Sequence, residues 1–347
     1  MTDEKNKNKI AEQIQKGSER SGKTFAFDEE HDENVPAQMW FQESDEGLIL
    51  FVVFYTQACR WNRCVACNLP SKCSQYHVSY KALINQVDWL FAQPEIIEKG
   101  EKIKKFILSN NGSVLDQVTF SSTALIYLVA KLNLHFSNLD VLSMETRPEY
   151  VELEELEFLA RALEEGDTPT EMEFAVGFEA FDDEIRNKKF NKGLSLEVFE
   201  RFVVKVSNYK QYKIKCYFMQ KPVLGITDEE AVQDIKNAID YLSQVARGSG
   251  VRINMHLNPT YVASGTPLAT AFQRGEYIPP QLIDVAKAAL HAKGKNISLF
   301  LGLFDEGLAV EGGSFVRPGD EELIEQLEQF NRTQDYKILE SVLEDVK

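Results

Sequence analysis

The chain alternates between apolar strand-like runs and amphipathic helix-like stretches. Residues 48–55 (LILFVVFY) are continuously apolar and rich in Val and Phe, which predicts a strand buried on both faces. Further strands are predicted at 104–109, 139–145, 173–179, 213–219, 252–257 and 297–303. Helices are predicted between them at 79–91, 121–132, 153–163, 196–208, 227–245 and 280–292. The helix at 227 opens with Thr227-Asp228-Glu229-Glu230, a capping-box pattern. An acidic helix follows from about 321, with Leu323, Leu327 and Phe330 as its buried stripe. Residues 1–35 are rich in Lys, Glu and Asn with little apolar periodicity before Phe25, and are expected to form a flexible or loosely helical leader.

Strands separated by helices of ten or more residues imply repeated βαβ units and a parallel sheet. Seven strands approach a barrel, but a complete eight-fold barrel needs a full set of repeats over about 250 residues. The expected fold is therefore α/β, a partial (β/α)6-type barrel with an extra C-terminal strand and helix. Its expected boundaries are a charged leader at 1–35, the barrel at 36–305 and an acidic helical extension at 306–347. Chemistry in such folds gathers on the loops at the C-terminal strand ends. Every unusual polar motif falls on those loops.

A hydrophobic share of 44% and a charged share of 27% are ordinary globular values and exclude a wholly disordered chain. No apolar run reaches the ~18 residues of a membrane span, and the first residues are polar. A cytoplasmic location without membrane contact is expected. The 38 basic residues are outnumbered by 54 acidic ones, a net charge of −16 that repels a phosphate polyanion on average. A local basic groove remains compatible with that balance.

Cysteine placement changes the picture most. Four of the five cysteines, Cys59, Cys64, Cys67 and Cys73, fall on the loop after the first predicted strand, and the fifth is Cys216. An odd number without a signal-like start argues against a disulfide framework. Cys59, Cys64 and Cys67 have C-x4-C-x2-C spacing, and soft thiolates select zinc or iron–sulfur centres. One reading is a closed zinc site with Cys73 or His77 as fourth ligand. The other is a [4Fe–4S] cluster with three cysteines and one open iron. The strand before the loop favours the second, because it aims the loop at the mouth of a barrel.

A cysteine loop after the first strand of a βα barrel resembles the radical S-adenosylmethionine (radical SAM) superfamily. The four-residue first gap and Ala66 before the third cysteine depart from its commonest form. Later segments bring the resemblance closer. Asn111-Gly112-Ser113-Val114-Leu115-Asp116 and Glu145-Thr146-Arg147-Pro148-Glu149 look like motifs of the Elongator catalytic-subunit-like branch, as do Gly177-Phe178-Glu179-Ala180 and Asn191-Lys192-Gly193. Asn258-Pro259-Thr260, Gly265-Thr266 and Gly275-Glu276-Tyr277-Ile278-Pro279-Pro280 are similar to the archaeosine-biosynthesis radical SAM (RaSEA) family. The resemblance spans about residues 50–300.

The resemblance implies that Cys59, Cys64 and Cys67 hold a [4Fe–4S] cluster whose fourth iron chelates S-adenosylmethionine. Reductive cleavage of that cofactor yields a 5′-deoxyadenosyl radical that abstracts a hydrogen from substrate. It further implies that Gly112, Ser113, Glu145, Arg147 and Glu179 contact the cofactor. Each has a blander reading: an ordinary βα turn for Gly112 and Ser113, a mutual ion pair for Glu145 and Arg147, a helix cap for Glu179. Gln220, Lys221, His256 and Asn258, at the ends of the fifth and sixth predicted strands, are the substrate candidates. Against this, a strand-end lysine is usually solvated and a lone histidine usually a rim or core residue. Cys216 reads as an inert buried thiol. The implied reaction is radical cleavage of a carbon–nitrogen bond in a lysine adduct of a tRNA 7-deazaguanine. An electron donor is required, and a basic partner protein is expected to carry the tRNA. The alternatives are the same radical chemistry on a small metabolite or peptide, and a non-catalytic zinc or cluster scaffold.

Overall fold

The computed structural model describes residues 2–344, with side chains from residue 7 onward. Residue 1 of the expected leader and residues 345–347 of the expected extension lie outside the described residues. One eight-stranded sheet runs in chain order: β1 (Gln38–Ser44), β2 (Gly47–Val53), β3 (Ile103–Ser109), β4 (Val141–Glu145), β5 (Glu171–Glu179), β6 (Tyr212–Gln220), β7 (Ile253–Pro259) and β8 (Ser298–Leu301). Strands β2 to β8 are all parallel, as seven predicted strands joined by helical crossovers require. The sheet is the curled wall of a partial barrel.

The described helices are α1 (Thr2–Arg20), α2 (Tyr80–Phe91), α3 (Pro94–Lys99), α4 (Ser122–His135), α5 (Leu153–Leu163), α6 (Leu196–Ser207), α7 (Asp228–Ser249), α8 (Pro267–Gln273), α9 (Leu282–Leu290), α10 (Glu321–Thr333) and α11 (Tyr336–Glu344). The Thr227 capping box forms at α7, with the side chains of Thr227 and Glu230 each accepting from the other's backbone N–H. The main apolar core lies between the helices and the outward face of the strands, where Phe106, Phe174, Ile214, Phe218 and Leu257 are all fully buried. Burial on this scale contributes roughly 25 cal/mol per Å² of apolar surface removed from water.

Three features depart from the sequence expectation. The first is β1, an antiparallel strand paired with β2 across a tight turn at Asp45-Glu46. Its segment QMWFQES carries apolar groups on both faces, so the period-2 signal is blurred. The second is the leader. It is helical, as one of the two expected readings had it, but packed and not loose: α1 buries Ile14 and Ala11, with Ile14 in one small apolar cluster with Ala58 and Cys73. Its sparse apolar positions serve one loop, so no long stripe appears in the sequence.

The third departure concerns the open side of the barrel. Strands β1 and β8 do not pair, and α10 bridges them. The Asn331 carboxamide both donates to Leu301 O and accepts from Leu301 N–H, each at 2.8 Å, and Asn331 O accepts from Asp45 N–H at 3.0 Å. Gln334, just beyond α10, does the same for Leu299. These amides stand in for a ninth strand and satisfy an edge that would otherwise be left unpaired.

Inside the barrel the strands present charge instead of hydrocarbon. Lys105 (β3) is wholly buried and donates to Glu173 (β5) and to Glu46 of the β1–β2 turn, at 2.9 and 2.6 Å. Ser143 donates to the same Glu173 carboxylate, and Lys213 and Lys215 of β6 also face it. Three lysines hold Glu173 far below the ordinary carboxylate range against the cost of its burial. This layer forms a polar floor beneath the site.

Candidate functional site

A cavity of about 780 Å³ opens at the C-terminal ends of the strands. Cys59, Cys64 and Cys67 all line it, so the three sulfurs of the C-x4-C-x2-C loop face one space. Cys73 does not: it is fully buried behind the loop, its thiol directed at the carbonyls of Leu69 and Asn110. His77 is exposed and also lies off the cavity. Three thiols of one loop thus line the cavity, the donor chemistry that a [4Fe–4S] cluster takes, although among the described residues no three His, Cys, Asp or Glu side chains are drawn close enough together to hold a metal ion. Burial pushes the Cys64 thiol up to about 12 and raises Cys67, while the nearby ammonium groups of Lys192 and Lys23 pull in the opposite direction.

The loop is held from four sides. Arg60 forms a fork with Asp116 of the Asn111–Asp116 motif, its Nε and one terminal nitrogen 2.5 and 2.7 Å from the two carboxylate oxygens. Helix α1 supports the loop from below. Asn62, in the left-handed region at φ 35°, donates to Ile14 O at 3.1 Å and accepts from Lys23 Nζ at 2.8 Å, and Ser21 donates to Arg63 O. Asn68 donates to Leu308 O, which ties the loop to the segment after β8.

The fourth support is the Glu145–Glu149 motif. Arg147 donates to Glu149 at 2.5 Å and to the carbonyls of Lys192 and Gly193 at 3.0 and 3.1 Å, and its guanidinium lies over Trp61 at 4.9 Å. Trp61 in turn donates to Asn191 O at 2.8 Å. Gly193 has φ 65°, and a Cβ there would stand 2.3 Å from the indole, so only glycine fits. The Asn191–Gly193 motif is thus a receptor for the cysteine loop's tryptophan.

The predicted cofactor residues are partly brought together. Gly112, Glu145, Arg147 and Glu179 line the cavity; Ser113 does not, and its buried hydroxyl accepts from Arg147 N–H. The ion pair considered between Glu145 and Arg147 does not form. Glu145 accepts from Ser109 Oγ at 2.5 Å and from Tyr217 OH at 2.8 Å, and burial raises its carboxyl above the usual range. Glu179 caps no helix: at φ 74°, on a bulge of β5, it pairs with Lys192 at 2.7 Å. Gly177 leaves the room for that pair, since a Cβ there would meet both charged ends at 2.4 Å.

Of the substrate candidates, His256 and Asn258 line the cavity. Gln220 and Lys221 do not. Tyr217 and Met219 take the inward positions of β6, so alternation turns Gln220 to the other face. Lys221 sits at φ 62° just past the strand and pairs with Asp228 at 2.7 Å. Cys216 is fully buried, as an inert thiol should be. Sequence reasoning missed Trp61, Tyr217, Tyr261 and Glu306, all cavity-lining. Tyr217 was detectable from the inward period of KIKCYFM; Glu306 carries no local signal.

No family model matches the chain. It is 27% identical over 321 residues to an uncharacterized protein of Methanocaldococcus jannaschii, covering 89% of this chain and 84% of that one. It is also 27% identical over 277 residues to the archaeosine synthase subunit beta of Methanosarcina acetivorans, covering 77% of this chain and 74% of that one. Among solved structures, the N-terminally truncated Elp3 of Methanocaldococcus infernus superposes with a TM-score of 0.42 at 16% identity, covering 63% of this chain and only 51% of that one. No helix among the described residues is long and apolar enough to cross a membrane. Over about three quarters of its length the chain is thus similar to proteins named archaeosine synthase subunit beta from two archaea.

Proposed function

We propose that this chain is a radical SAM enzyme of archaeosine-type tRNA modification, cleaving a carbon–nitrogen bond in a lysine adduct of 7-deazaguanine. One observation carries the reading: Cys59, Cys64 and Cys67 share a single cavity with Glu145 and Arg147 of the Glu145–Glu149 motif. The three thiolates would hold the cluster, and Gly112 leaves room for Cys59, whose Cα and Cβ would each stand 3.3 Å from a Cβ placed there. When bound, the cluster supplies the electron that cleaves S-adenosylmethionine to the 5′-deoxyadenosyl radical.

The chain's own residues position and shield. Glu145, kept in place by Ser109 and Tyr217, offers a carboxylate to the cofactor's ammonium. Arg147 spends its donors on Glu149 and on the Asn191–Gly193 loop, so its role is to fix the cysteine loop rather than to grip a carboxylate. Glu179 and Lys192 neutralise each other beside Cys64. The wall of Trp61, Phe190 and Met219 keeps water from the radical. A relative that carries the name of a beta subunit supports a second protein as the tRNA carrier, in keeping with the net charge of −16. A separate electron donor, a cytoplasmic setting and the expected division into leader, barrel and extension belong to the same reading.

The test is anaerobic reconstitution with iron and sulfide counting, followed by a 5′-deoxyadenosine assay beside Cys64→Ala. About four irons and four sulfides per chain are expected in the wild type, with cleavage accelerated by modified tRNA. Cleavage retained in Cys64→Ala sinks the reading.

A further inference from the structure

The segment just after α1 carries a charge that the function proposed above leaves unassigned. Lys23 is only 7% exposed and lines the cavity with Cys59, Cys64 and Cys67. Its ammonium donates to Asn62 Oδ1 at 2.8 Å and to Asn62 O at 3.4 Å, between the first and second cysteines of the loop. It also stands 5.6 Å from the centre of the Phe25 ring. Burial raises the Cys67 thiol, and the Lys23 ammonium pulls it back. What this ammonium lacks is a carboxylate. Of the other cations on the cysteine loop, Arg60 pairs with Asp116, Arg147 with Glu149 and Lys192 with Glu179. Arg63 stacks 5.0 Å over Trp61 and is partly open to water.

Among the described residues no carboxylate pairs with Lys23, and its two acceptors are neutral oxygens of one asparagine. The cavity's Glu145 is taken by Ser109 and Tyr217 and its Glu179 by Lys192. Glu43, Glu306 and Glu328 also line the cavity, with the exposed Arg332, and none of these acids pairs with Lys23. A buried ammonium without an anion is costly, so a lysine held this way marks the place of one. The backbone around Lys23 is fixed from both sides. On one, Ser21 Oγ donates to Arg63 O at 3.0 Å, and Lys23 N–H donates to Ser18 O at 3.1 Å. On the other, Thr24 N–H donates to Gly265 O at 2.8 Å. Gly265 has φ 69°, and a Cβ there would stand 2.8 Å from Phe25 N, so a side chain would push the segment away. The Gly265-Thr266 motif is thus the seat of this strap.

We infer that Lys23 is a positioning residue of the cysteine site, its ammonium being the counter-charge of the anion that three thiolates make with a bound iron–sulfur cluster. The inference rests on the function proposed above and adds the residue that sets the charge balance there. Net charge and hydrogen bonding around the sulfurs set the reduction potential of such a cluster. A fixed cation beside it favours the reduced, more negative form, so Lys23 raises the potential and eases entry of the electron. Arg60, Arg147 and Lys192 contribute less, because each is already neutralised.

The experiment is a redox titration of the anaerobically reconstituted full chain, followed by the paramagnetic signal of the reduced cluster, with iron and sulfide counted on every sample. In Lys23→Met the equilibrium constant for one-electron reduction is expected to fall about tenfold, a potential lower by ~59 mV. Lys23→Arg is expected to restore most of the difference. Gly265→Ala displaces the strap without removing the charge. It should lower the potential in the wild-type background and add nothing in Lys23→Met. An unchanged potential in Lys23→Met, or a full additive fall in the double variant, overturns the inference. Should Lys23→Met take up no iron, Gly265→Ala decides the matter, and an unchanged potential there overturns it equally. A wild type that loads iron and sulfide but keeps its potential in these variants leaves the functional reading standing. A wild type that loads neither sinks both.

Discussion

The guanidinium of Arg147 lies 4.9 Å over the indole of Trp61, joining the motif after β4 to the cysteine loop after β2. The same arginine closes on the carbonyls of Lys192 and Gly193, and Trp61 closes on Asn191. Three loops from different parts of the chain are thereby locked around one aromatic ring. Arg147→Lys keeps the charge but loses the planar fork and the stacking. A stability loss of about 1–3 kcal/mol is expected, together with lower iron retention after gel filtration. Denaturant melts of the apo chain separate the first effect from the second.

Gly193→Ala tests the other side of this lock. The methyl group would enter the indole at 2.3 Å on a backbone held at φ 65°. The strain and displacement together should cost about 2–4 kcal/mol. In the double variant with Trp61→Ala the steric part should largely disappear, and a full additive loss would show that Trp61 is not what Gly193 accommodates.

Asp116→Asn removes one charge from the fork that holds Arg60 beside Cys59. Asp116 is buried and Arg60 is about a quarter exposed, so a loss of about 1–2 kcal/mol is expected. Slower reconstitution, followed by visible absorbance, should accompany it. Asp116→Ala behaving no worse than Asp116→Asn would argue that the carboxamide makes no useful contact.

The polar floor of the barrel gives a pH-dependent prediction. Burial, with Lys105 nearby, lowers the Lys215 ammonium to about 8, below the ~10.4 of an unfolded chain. Between those values the unfolded state binds more protons, so this lysine's contribution to stability rises with pH through the window. Below pH 8 its full cost is present. Chemical melts of Lys215→Met across about pH 7 to 10.5 should lack this rise relative to wild type. Lys105→Met, by contrast, leaves Glu173 without its closest cation and should lose about 3–5 kcal/mol at neutral pH.

What was legible in the sequence follows from local physics. Period-2 and buried apolar runs located seven parallel strands to within a few residues, because each strand's pattern is set by which neighbours cover it. The cysteine spacing singled out Cys59, Cys64 and Cys67, which share one cavity, since gap and loop position are local properties. The motif order placed Gly112, Glu145, Arg147, Glu179, His256 and Asn258 on one rim, and all six line the cavity.

The sequence by itself determined the strand–helix repeat, the three thiols and the rim on which they sit. Tertiary structure alone decided what each polar group spends its bonds on. Arg147 turned to the carbonyls of Lys192 and Gly193, partners some 45 residues away that only the fold brings to it, while Lys221 and Glu179 turned to nearer partners, Asp228 and Lys192, at left-handed backbone positions that no local pattern announced. The leader became a support for the cysteine loop for the same reason: Ile14 and Lys23 contact Asn62 across some forty residues. Trp40 of β1 and Phe304 after β8 meet, ring centroids 5.8 Å apart, because an open sheet brings its first and last strands around to a common gap, a relation that no local pattern encodes.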